Sequence, residues 1–252
     1  MKYTLIALLV AECLTVPWPT SSKTVTLSSP ITVKAGQTYD GFKEHNNDWV
    51  RFERGKSGLG ECTNIEAGKA DACFLLYKGA TLKNVILGAK SINHVYCVED
   101  GCTIHNVYWE DVCVNAITFE NGSSTSAKYF IRFGAAKNGN GKFIQNNSAG
   151  IVYFSNFYVE NVGKLYKACG NCKRGYQGKR DVFLINITAK NVETLAEYNS
   201  NFEDNVILKN IKLTSVSHAC RAFQGTNDGK EPTALEYSCE PSKNYISSCT
   251  CK

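Results

Sequence analysis

Histidine, proline and methionine are scarce in this chain, with four His, five Pro and one Met in 252 residues. His45, His94, His105 and His218 are scattered, and none has a serine or cysteine partner placed for nucleophilic catalysis, so each reads as structural. Helical periodicity is almost absent, which leaves little room for an α or α/β fold. Charge of either sign is limited, and the net +5 is modest. Past the N-terminus no run is long and apolar enough for a membrane helix of about 20 residues.

At the N-terminus, MKYTLIALLVAECLTV has one lysine and then an apolar run too short to span a bilayer. That order reads as a secretory signal over residues 1–17, with cleavage somewhere between Ala11 and Ser22; a buried first strand is the alternative. Twelve cysteines agree with export, because disulfides persist in oxidising compartments. The close pairs Cys97/Cys102, Cys169/Cys172 and Cys249/Cys251 also resemble zinc ligands, but they lie on different segments and few histidines are available. Disulfides are therefore expected, with connectivity open. If Cys13 leaves with the signal, eleven cysteines remain and one thiol is left over. Sequons at Asn121, Asn146 and Asn186 would then be available for glycosylation.

What the chain does have is a repeat. Five segments share the form apolar-x-Asn-apolar-x-apolar: LKNVIL (82–87), IHNVYW (104–109), FSNFYV (154–159), LINITA (184–189) and LKNIKL (208–213). Their asparagines, Asn84, Asn106, Asn156, Asn186 and Asn210, are separated by 22, 50, 30 and 24 residues. The step of 50 accommodates two turns, with KYFIRFGA (128–135) as a strand that lacks the Asn. Coils of this length, each presenting one apolar face inward, predict an all-β, single-domain parallel β-helix rather than hairpins. Asparagines stacked at a corner can satisfy turn backbone groups and one another. A β-sandwich with Asn-rich turns is the competing reading, but its turns have no reason to repeat one tripeptide. The helix is expected over residues 23–224, with 23–41 as its first coil. Residues 225–252 form a cysteine-rich capping tail. Tyr108, Trp109, Phe157 and Tyr158 alternate along strands and read as core or ladder residues.

Residues 160–180, ENVGKLYKACGNCKRGYQGKR, carry Lys164, Lys167, Lys173, Arg174, Lys179 and Arg180 with no acid after Glu160. A solvated loop is the plain reading. Nucleic acid and membrane are poor partners for a secreted, cysteine-rich chain; an acidic polysaccharide suits a basic strand face better.

The strings GATLKNVILGA, NVYWEDVC and above all VGKLYKACGNC resemble the secreted pectate lyases of polysaccharide lyase family 3, from about residue 23 to about 220. The resemblance implies a right-handed parallel β-helix and calcium-assisted β-elimination on polygalacturonate, by a monomer acting on plant cell walls. In that reaction a base removes the C5 proton beside the uronate carboxylate, whose charge must be neutralised, and the C4 oxygen leaves. By position, Lys142 and Lys164 match family lysines at the substrate carboxylate and the cleavage site. Lys167 stands where the family usually has arginine, the proton acceptor; Arg174 is a further substrate contact. Lysine loses its proton near 10.4 rather than above about 12, and it lacks the planar fork of arginine. The family's calcium acids after Glu110-Asp111-Val112-Cys113 are here Val114-Asn115. A third family acid falls at Asn93 or His94. The implied metal ligands are therefore Asp111, Asn115 and Asn93, a weakened calcium site. Two functions follow as expectations, a lyase of reduced activity and a protein that binds acidic glycan without turnover.

Overall fold

The structure is a computed structural model that describes residues 18–55, 68–173, 175–240 and 244–252. The expected signal at 1–17 and Arg174 lie outside the described residues. In chain order the strands are β1 (Lys23–Thr26), β2 (Ile31–Val33), β3 (Thr38–Asp40), β4 (Val50–Glu53), β5 (Phe74–Leu76), β6 (Ala80–Leu87), β7 (Asn93–Cys97), β8 (Cys102–Trp109) and β9 (Asn115–Glu120). They continue with β10 (Lys128–Asn147), β11 (Gly150–Ala168), β12 (Arg180–Asn199), β13 (Asn205–Gln224), β14 (Thr233–Ser238) and β15 (Tyr245–Cys251). The helix α1 (Gly41–Glu44) is a single turn after β3.

Pairings from β1 to β13 are parallel, and the chain winds through about eight turns of one β-solenoid. Registers Ala80↔Cys102, Cys102↔Tyr129, Tyr129↔Val152, Val152↔Val182 and Val182↔Val206 give rung lengths of 22, 27, 23, 30 and 24 residues. The asparagine step of 50 thus resolves into 27 and 23, with KYFIRFGA supplying the rung between. Leu82, Ile104, Ile131, Phe154, Leu184 and Leu208 lie in register on successive rungs and are at most 1% exposed. Burying each such side chain is worth about 1.5–3 kcal/mol before chain entropy, an upper bound set by the extended reference state.

Each long rung has three faces joined at two corners. The first corner holds Asn84, Asn106, Asn156, Asn186 and Asn210 at φ 56–57°, where Asn is favoured because its amide bonds locally. Asn106 Nδ2 donates to Asn84 Oδ1 at 2.7 Å, Asn186 to Asn156 at 3.0 Å and Asn210 to Asn186 at 2.7 Å. Asp40 accepts from Asn84 at one end, and the Tyr245 hydroxyl donates to Asn210 at the other. A second corner, five residues later, was not foreseen: Asn138, Asn161, Asn191 and Ser215 are also left-handed, and Asn191 Nδ2 donates to Asn161 Oδ1 at 2.9 Å.

Trp109 and Phe157 are in the main core, while Tyr108 and Tyr158 pack with Trp18 and Trp49 in a satellite cluster. His94 is fully buried. Cys97 pairs with Cys102 and Cys169 with Cys172, whereas Cys249 and Cys251 take separate partners, Cys239 and Cys220. Among the described residues Cys73 is the free thiol, and it is buried. Strands β14 and β15 return antiparallel onto β13, so these two strands cover the last rung, and Cys220–Cys251 staples β15 to it. Asn146 is fully buried, its amide bonded to the Tyr166 hydroxyl and the Ser148 N–H, which removes one of the three sequons from solvent.

Candidate active site

On the third face, parallel pairing stacks residues of distant sequence into rows about 4.8 Å apart. One row runs Asn93↔Asn115↔Lys142↔Lys164↔Thr194↔His218. Beside it runs Tyr96↔Thr118↔Gln145↔Lys167↔Glu197↔Arg221. Lys142, Lys164 and Lys167 are therefore neighbours on two adjacent rungs. A groove of about 480 Å³ opens over Lys142 and Lys167, lined also by Val114, Asn115, Gln145 and Lys173 among others, with Lys164 beside it rather than in its lining. Glu231 and Pro232, which lead into β14, close one side of it.

The residue that organises the cations is Glu197, which the sequence reading missed. It is 2% exposed, with Oε1 2.8 Å from Lys164 Nζ and Oε2 3.3 Å from Lys167 Nζ. A carboxylate withdrawn from water is retained only with charged partners, so it fixes both ammonium heads in one place. The signal was available: 167 plus the 30-residue rung between Asn156 and Asn186 gives 197. The basic run divides. Lys164 and Lys167 lie on β11 and exposed Lys173 directly follows the Cys169–Cys172 disulfide, while Lys179 lies 3.7 Å from Asp181. Arg180 is fully buried, with Nε bonded to the Ser148 carbonyl and Nη1 3.6 Å from Asp204. Arg180 is thus a structural cation that cannot meet a ligand.

Asp111 lies elsewhere. Val112 bridges Gly139, which sets Asp111 beside the second corner at Asn138, and Asp111 is not among the residues lining the groove. Burial raises its pKa above the usual carboxylate value. Glu110 accepts at the same corner from Nε and Nη2 of Arg51, at 2.6 and 2.7 Å. Asn93 and Asn115 do sit side by side at the end of the lysine row; the Asn93 amide reaches the Tyr96 hydroxyl at 3.2 Å.

The Pectate lyase family model matches residues 15–230. The chain belongs to the pectate lyase family. It is 42% identical over 217 residues to Pectate lyase E of Emericella nidulans, covering 86% of this chain and 79% of that one. It is 39% identical over 233 residues to Probable pectate lyase D of Neosartorya fischeri, covering 92% and 90%. Among solved structures, the catalytic domain of pectate lyase PelI from Erwinia chrysanthemi superposes with a TM-score of 0.65 at 24% identity, covering 87% of this chain and 93% of that one. PelI in complex with tetragalacturonic acid gives 0.60 at 26% identity, covering 81% of this chain and 64% of that longer one.

The family implies calcium, which takes about six to eight oxygen ligands and prefers carboxylates. Asn115 Oδ1 is buried with no hydrogen-bond partner and offers one neutral oxygen in the groove. Three carboxylate, imidazole or thiol donors converge among the described residues only at Cys220, Cys239 and Cys251, which are consumed in disulfides. Among the described residues no such cluster of three lies on this face.

Proposed function

We propose that this family member cleaves polygalacturonate by β-elimination in the third-face groove. The observation that carries the reading is the in-register pair Lys142↔Lys164, with Lys167 one row away and both β11 lysines held by Glu197. Lys142 and Lys164 grip the uronate carboxylate and offset the charge that develops on it as the C5–H bond breaks. Lys167 is the acceptor of that proton on this reading; the electron pair forms the C4=C5 double bond, and the C4–O bond breaks as the leaving oxygen acquires a proton from water. Glu197 keeps both lysine heads in register with the scissile bond, so it is a positioning residue. Arg174, next to Lys173 in sequence, contributes a further contact to the polymer.

Calcium, on this reading, binds weakly through Asn93 and Asn115 with oxygens of the substrate, and Asp111 contributes charge from the corner; activity is accordingly low. The protein works outside the cell as a monomer. A second reading, glycan binding without turnover, is favoured by the neutral amides at 93 and 115. One assay separates the two: polygalacturonate is incubated with the protein, with calcium and with chelator, and the ultraviolet absorbance of the unsaturated product is followed. Product at some calcium level supports the lyase; binding with no product at any level supports the second reading.

A further inference from the structure

The first face, where the rungs begin, departs from its own pattern at one place. Phe133 occupies the corner that Asn106 and Asn156 hold in the neighbouring rungs, and it keeps their left-handed backbone at φ 56°. A bulky side chain has no local hydrogen bond to compensate that conformation, and a phenyl ring passes no bond along the asparagine ladder. Nor does it gain much from burial, since it is 48% exposed and meets His105 edge-on at 5.2 Å. A residue that is strained, exposed and ladder-breaking at once points to a use outside the fold.

Its surroundings define that use. Phe130, Tyr153 and Phe183 stack along the axis at 5.1 Å intervals, and the Arg132 guanidinium lies 4.2 Å over the Phe130 ring. A shallow hollow of about 280 Å³ lies against Arg132, Phe133, Tyr153, Ser155, Asn156 and Phe183. The row through it reads Asp40, Lys83, His105, Arg132, Ser155, Ile185, Lys209. Its one acid, Asp40, is spent on Lys83 at 3.0 Å. Desolvation, and then the charges of Lys83 and Arg132, hold the His105 pKa below the usual imidazole value, as expected in a locally positive field.

The geometry points to a second polyuronate-binding surface on the first face, in which Phe133 receives the apolar face of a galacturonate ring and Arg132 its carboxylate. Guanidinium forks match carboxylates in pairs, and an exposed aromatic ring suits the C–H face of a pyranose. Arg132 on this row, with Lys209 three rungs on, offers cations spaced along the axis to a polymer that carries a charge on every residue. This face is separated from the catalytic groove by both corners, so a chain bound here would hold the enzyme on polymer and raise the local concentration of scissile bonds. The inference rests on polygalacturonate being the substrate class.

The test uses the full chain with Phe133→Asn and Arg132→Gln, singly and together, alongside wild type. Two readouts are taken: adsorption to insoluble cross-linked polygalacturonate, and turnover of soluble tetragalacturonate. The double variant is expected to adsorb about tenfold more weakly and to turn over tetragalacturonate as wild type does. Phe133→Asn restores the ladder residue, so a thermal midpoint no lower than wild type confirms its fold. Wild-type turnover with unchanged adsorption of the variants overturns the second surface and leaves the substrate reading standing. Adsorption that depends on Phe133 without any turnover keeps the surface and overturns the catalytic reading. Equal adsorption to a neutral polysaccharide overturns the surface, and no adsorption by wild type overturns both.

Discussion

Lys142 and Lys164, 22 residues apart in sequence, are Cα partners on the adjacent strands β10 and β11. Neither residue is remarkable in its own segment; the winding of the chain makes them a pair. Replacing either with alanine should lower kcat/KM on polygalacturonate at least about 100-fold, the scale of removing one stabiliser of developing charge. Thermal stability should change by less than about 1 kcal/mol for Lys142→Ala, and by more for Lys164→Ala, which leaves the buried Glu197 with one cation fewer.

Glu197 acts through the lysines it holds. Glu197→Gln should lower kcat more than it raises KM, by about 10–100-fold in kcat/KM, since positioning is lost and contact charge is kept. Stability should fall by about 1–2 kcal/mol, less than for a fully buried pair because the lysines are 26% and 27% exposed. Glu197→Asp should recover part of both. A purely structural Glu197 would change stability and leave the kcat-to-KM split untouched.

The ladder gives a stability prediction with the opposite sign. Phe133→Asn should raise stability by about 1–2 kcal/mol through relief of left-handed strain at φ 56° and closure of the gap between Asn106 and Asn156. Denaturant unfolding with the disulfides intact measures it.

Calcium affinity follows from donor chemistry. Titration calorimetry without substrate should find binding no tighter than about 10⁻⁴ M. The triple variant Asn93→Asp, Val114→Glu, Asn115→Asp should bind at least about tenfold more tightly. Because Asn93 is fully buried, its carboxylate must be paid for by desolvation, so the double variant at 114 and 115 should carry most of the gain.

His94 supplies a pH dependence. Burial pushes its pKa down to about 4, and its Nε2–H donates to the Gly88 carbonyl at 3.1 Å. The unfolded chain takes up this proton near 6.5 and the folded chain only near 4. The contribution is therefore complete above 6.5 and is lost as pH falls toward 4, by at most about 3 kcal/mol. Asp204, pushed up to about 6 by burial, works in the other direction: its cost to the fold shrinks as pH falls from about 6 to its ordinary value of 3.8. The difference between wild type and His94→Gln isolates the histidine: the variant should lose less stability than wild type between pH 7 and 4.5.

The fold was legible because left-handed corners select asparagine and the apolar residues beside each one face inward. The same logic reaches the second corner, since Asn138, Asn161, Asn191 and Ser215 each follow the first by five residues. It was overlooked because its flanks carry no shared apolar pattern. In the proposed site, motif strings single out Lys142, Lys164 and Lys167, and the strand register sets them on two adjacent rungs. Glu197 was not legible, because in LAEYN it reads as an ordinary strand residue until rung length is added to Lys167. Burial also lay beyond the sequence: Arg180 looks like a groove cation in a basic run, yet it is sealed against Asp204 and Ser148. Likewise Asp111, adjacent in sequence to the expected metal residues, turns out at a corner because Val112 must enter the core.

The most direct measurement compares the rate of unsaturated-product formation from polygalacturonate by wild type and by the Lys142→Ala/Lys164→Ala double variant, at equal fold integrity. The account predicts a steady rise in absorbance for wild type and near-baseline signal for the double variant. Equal rates from the two proteins would contradict it.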